Sequence, residues 1–70
     1  MIFHIYDDIT KRVNYVRCSE KSLNNIGIRE WEGRYRYTLY DYDYKKETKS
    51  VDGIEVISLN RFKGILSQPS

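Results

Sequence analysis

Asp41 and Asp43 are the first residues in this chain whose type and spacing could do chemistry. They stand two apart in the run from Arg34 to Tyr44, RYRYTLYDYDY, and residues i and i+2 of a strand share a face. Two neighbouring carboxylates can raise one pKa or hold a divalent cation. A dedicated site needs more converging oxygens, and Asp7 and Asp8 would supply them only if the first turn lay nearby. The pair is therefore expected to form an acidic strip balanced by Arg or Lys across a sheet, with Asp41 and Asp43 only weak metal candidates. His4, the single histidine, is enclosed by apolar neighbours and reads as a packed side chain more than a general base. Cys18 is the single cysteine, which rules out an intramolecular disulfide and leaves too few soft ligands for a structural zinc. No CxxC, HExxH or phosphate-cradling glycine loop occurs. A non-enzyme with no cofactor is expected.

The same run carries a different chemistry, that of contact. It holds five of the seven tyrosines and alternates ring with polar residue for most of its length, a strand signal in residues that favour strands. Tyr35, Tyr37 and Leu39 fall on one face; Tyr40, Tyr42 and Tyr44 fall on the other. A change of face between Leu39 and Tyr40 calls for a β-bulge there, a strongly coiled strand, or two faces that are both partly covered. Either most of these rings belong to the core, or two or three form an exposed platform. With Trp31 they make the candidate protein-binding set: Trp31, Tyr35, Tyr37, Tyr40, Tyr42 and Tyr44. Tyr and Trp bury large rigid areas while keeping a polar handle, which suits interfaces.

These residues need a scaffold, and the pattern supplies one. Residues 1–6 read as a first strand with only His4 polar, followed by Asp7 and Asp8 as turn formers whose carboxylates can accept local N–H bonds. Residues 11–18 read as a second strand, hairpin-paired with the first. Ser19 can cap a short helix over about 20–26 that docks through Leu23 and Ile26, with Gly27 leaving in the left-handed region. Asp52–Gly53 is a turn pair before a strand over 54–59, and Phe62, Ile65 and Leu66 suggest a final strand that closes the sheet. The expected fold is α+β and β-rich: four to five mostly antiparallel strands in a small curved or barrel-like sheet, with one short helix. An all-β SH3-like barrel is the alternative. One domain is expected over 1–66, with a frayed tail at 67–70.

Seventy residues bury only about 60% of the surface the unfolded chain exposes, so the core is small. The net charge of +2 is low for a dedicated nucleic-acid binder. It divides into +2 over 1–29, −2 over 30–44 and +2 over 45–70. No apolar run approaches a membrane span and no signal peptide is readable, so a cytoplasmic protein without a membrane partner is expected. The leading expectation is a small non-catalytic protein-interaction module that occludes a surface on a larger, unidentified protein. Small regulators encoded by phages or mobile elements share this size and composition, an analogy with no family resemblance behind it. A homodimer through the tyrosine strand fits the same features. The alternative is single-stranded nucleic-acid binding, with rings stacking on bases and Arg34, Arg36, Lys45, Lys46 and Lys49 following phosphates.

Overall fold

A computed structural model describes residues 1–31, 33–42 and 47–67, except the side chain of Glu30. The chain runs β1 (Ile2–Asp7), β2 (Arg12–Arg17), α1 (Glu20–Asn25), a 3₁₀ turn (Ile28–Trp31), β3 (Tyr35–Asp41), β4 (Ser50–Val51), β5 (Ile54–Ser58) and α2 (Leu59–Ser67). The strands form one mixed sheet in the order β3-β1-β2-β5-β4. β1 pairs antiparallel with both β2 and β3, β4 pairs antiparallel with β5, and β2 with β5 is parallel. The fold is a small, β-rich α+β arrangement, as the alternation predicts.

Local chemistry explains most of the boundaries. Asp7 Oδ1 accepts from the Ile9 and Thr10 amides at 2.9 and 3.3 Å and so folds the β1–β2 turn. Ser19 Oγ accepts from the Ser22 amide at 3.1 Å to start α1. Gly27, at φ 77°, turns the chain out of the helix, a conformation that a Cβ would disfavour. Asp52 and Gly53 sit at φ 50° and 80° between Val51 and Ile54, the two left-handed residues of a type I′ hairpin turn.

Two expectations need correcting. The sheet does not close into a barrel: β3 and β4 remain at opposite edges, and β4 has only two residues with which to reach across. The segment that would have closed it is a helix. Leu59, Phe62, Ile65 and Leu66 follow a helical spacing, the Ser58 hydroxyl accepts from the Arg61 amide at 3.2 Å, and Phe62 is fully buried.

Both faces of the sheet carry apolar residues for different reasons. One face is covered by α1, α2 and the 3₁₀ turn, which bring Leu23, Phe62 and Ile28 onto Phe3, Ile5, Val16, Tyr35 and Ile57. Cys18 packs at the margin of this core; burial pushes its thiol up, partly opposed by the N-terminal ammonium, which leaves it a poor nucleophile. The other face holds a smaller cluster of Ile2, Tyr15 and Val51, flanked by Val13, Ile54 and Val56. Arg17 donates to the Thr48 carbonyl beside this second cluster. His4 stands in the same layer, edge-on to Tyr15 with ring centroids 5.4 Å apart.

Candidate protein-binding edge on β3

The entry to β3 is held by an ion pair. Arg34 donates from Nε and Nη2 to the two carboxylate oxygens of Asp7 at 3.3 and 3.2 Å, and its carbonyl accepts from the Asp8 amide at 2.8 Å. Burial alone would raise the Asp7 pKa. The bonds from Arg34 and from the Ile9 and Thr10 amides outweigh it and bring the pKa down to about 2. The guanidinium carbon of Arg34 also lies 5.0 Å from the ring centre of Tyr35 and 5.9 Å from that of Trp31, within cation–π range. Tyr35, only 5% exposed, packs edge-on against Phe62 and Trp31. Tyr37 is half-buried, edge-on to Phe3, and donates to Asn24 Oδ1 at 3.1 Å.

Beyond Thr38 the strand changes character. The β1–β3 register runs Ile5 to Tyr37 and Phe3 to Leu39, then skips, so that Ile2 faces Asp41. One extra residue, Tyr40, is accommodated in β3. The irregularity falls where the sequence places two adjacent apolar residues, Leu39 and Tyr40. Tyr40 follows the ordinary alternation onto the second face, where its ring meets Tyr15 edge-on at 5.3 Å, and the skip sets Asp41 on that same face opposite Ile2. Leu39 is 49% exposed, Tyr40 53% and Tyr42 70%. Three large apolar side chains thus stand in solvent at one end of an edge strand. Trp31, 41% exposed, stands near the other end.

The backbone of β3 has an orientation that follows from one bond. Because the Asp8 amide donates to the Arg34 carbonyl and the register keeps step, Arg36 and Thr38 turn their N–H and C=O groups toward β1, while the Arg34 N–H donates to the Trp31 carbonyl at 2.9 Å. Tyr35, Tyr37 and Leu39 turn theirs to the outer edge, where no further strand is paired among the described residues. An open cleft of about 570 Å³ lies beside this edge, lined by Ile28, Arg29, Gly33, Tyr35, Arg36 and Tyr37.

The residues singled out from the sequence therefore separate. Tyr40 and Tyr42 are exposed and Trp31 partly so, Tyr37 is half in, and Tyr35 is core, where its ring cannot serve as a contact without unfolding. Tyr44 lies outside the described residues, as do Asp43, Lys45 and Lys46. Of the basic residues, Arg34 is committed to Asp7, Arg36 is exposed beside the cleft, and Lys49 precedes β4 at the opposite edge of the sheet. Four strand spacings put those edges about 19 Å apart, so the described bases do not line one phosphate track. Asp41 is half-buried, and among the described residues no three His, Cys, Asp or Glu groups converge as a metal site.

Leu39, Ile28 and Arg29 were not foreseen as part of any site. Leu39 shares its alternation with Tyr35 and Tyr37 and so reads as core. Only the fold shows that the sheet outruns its helical cover there. Ile28 and Arg29 reach the edge through the 3₁₀ turn, which has no periodic signature. Comparisons with protein-family models, curated proteins and solved structures return no match. Among the described residues no helix is long and apolar enough to cross a membrane.

Proposed function

We propose that this chain is a non-catalytic protein-interaction module that binds a larger protein through the edge strand β3. The observation that carries the reading is the exposure of Leu39, Tyr40 and Tyr42, three large side chains at the end of a strand whose outer edge is unpaired among the described residues. Edge strands ordinarily blunt this hazard with charge, proline or cover, and the outer half of β3 uses none of these at 39 and 40. Rings and aliphatic groups near an interface centre supply most of its binding energy. A module of this size acts by occlusion, as a regulator or inhibitor that covers a surface on its partner. The reading takes the protein as cytoplasmic, in keeping with a lone, unpaired cysteine.

A photo-crosslinking residue placed at Tyr42 in the native cell tests this reading. It should capture one protein in defined stoichiometry, and a variant with Leu39, Tyr40 and Tyr42 all changed to Ser should stay folded and lose the partner. A triple variant that keeps its partner would sink the reading. Amide shifts at Arg36 and Lys49 on adding a single-stranded oligonucleotide, weakening near 0.3 M salt, would favour the nucleic-acid alternative instead.

A further inference from the structure

We infer that the cleft beside β3 takes an extended peptide segment bearing an acidic side chain, which pairs with β3 as a sixth strand. The inference rests on the interaction-module reading and specifies its ligand. Tyr35, Tyr37 and Leu39 each aim an N–H and a C=O outward, and from 35 to 39 the strand spans about 13 Å, enough for about five residues of a partner chain. Strand addition of this kind draws affinity from main-chain bonds and selectivity from the side chains flanking the edge.

Those flanking side chains set the ligand's charge. Arg36 borders the cleft, exposed and without an ion pair among the described residues. Arg29 borders the same space from the 3₁₀ turn. No carboxylate lines the cleft among the described residues. A side chain on an added strand lies about 5 Å from its lateral neighbour, so an Asp or Glu placed next to Arg36 meets a guanidinium suited to two-pronged contact. Tyr37, half-buried at the cleft, offers apolar contact to the residues between. A second copy of this chain fits less well, because its β3 would bring another Arg36 to the edge that Arg36 already borders.

Selection from a random dodecapeptide library against the full chain tests the inference. Recovered peptides should be enriched in Asp or Glu and should shift the amides of Tyr35, Tyr37 and Leu39 in NMR spectra. They should lose binding when alternate peptide nitrogens are methylated, and Arg36→Gln should weaken them roughly tenfold. Recovered peptides without acidic enrichment, or peptides that bind elsewhere on the chain, would overturn it. So would a library that yields no binder, or edge amides already protected by self-association. The crosslinking at Tyr42 separates the two claims: a captured protein together with a failed selection removes the acidic-peptide site and leaves the interaction module standing.

Discussion

The two halves of β3 are built from similar residues and live in different surroundings. Residues 34–37 are anchored: Arg34 in an ion pair with Asp7, Tyr35 between Phe62 and Trp31, Tyr37 bonded to Asn24. Residues 39–42 pass beyond the helical cover, and Tyr40 stands on the other face of the sheet against Tyr15. A tyrosine in this chain is thus neither a core residue nor a contact residue by type. Its role depends on how far the strand has travelled past Phe62.

That contrast can be broken most severely from the anchored side. Phe62→Ala removes the fully buried ring on which Tyr35 packs and should cost about 3–5 kcal/mol. In a domain this small that loss leaves little folded protein, measurable by urea denaturation followed by circular dichroism. Asp7→Ala leaves Arg34 without its carboxylate and the first turn without its acceptor; we expect about 3 kcal/mol by the same assay.

Acid should reach the same ion pair without mutation. The Asp7 pKa is lowered in the folded state from 3.8 to about 2, so its contribution is fully present above about pH 4 and is lost as pH falls through 2. The difference corresponds to about 2 kcal/mol. Stability should decline over that interval in wild type, and Asp7→Ala should lack that component of the decline.

On the exposed side the effects shrink. Tyr40→Ala forfeits an edge-on contact with Tyr15 and should cost about 1 kcal/mol, whereas Tyr42→Ser should change stability by less than about 0.5 kcal/mol. Thermal melts of the two variants give the comparison directly. A Tyr42→Ser domain as damaged as Phe62→Ala would erase the distinction between the halves.

Much of this arrangement is legible in the sequence because the signals are local. Ser19 at the start of α1, Gly27 at its end, Asp7 in the first turn and the Asp52–Gly53 pair each act within a few residues of themselves. The irregularity at Leu39–Tyr40 is also local, since it shows as two adjacent apolar residues in a pattern of period two. α2 escaped for an instructive reason. Leu59 completes the alternation of β5, and assigning it there hides the spacing of Leu59, Phe62 and Ile65 that marks a helix. The division of the tyrosines was beyond reach: whether Tyr35 or Tyr42 is buried depends on where α2 lands, and that is a long-range event. The role of Arg34 was hidden in the same way, because its partner Asp7 is 27 residues distant.

The parallel pairing of β2 with β5 has a kinetic consequence. Tyr15 lies beside Val56 and Val16 beside Ile57, so two central strands meet only after the whole intervening chain has been organised or looped out. β1 and β2 can close as a hairpin early, and β3 can then join β1. Until β5 arrives, however, β2 is itself an unpaired edge, and Phe62 has not yet sealed the core. Folding should therefore be limited by a late, entropically costly docking of the C-terminal third. A chain halted before residue 50 would be a sticky three-stranded fragment, with two open edges where the finished sheet protects one of them.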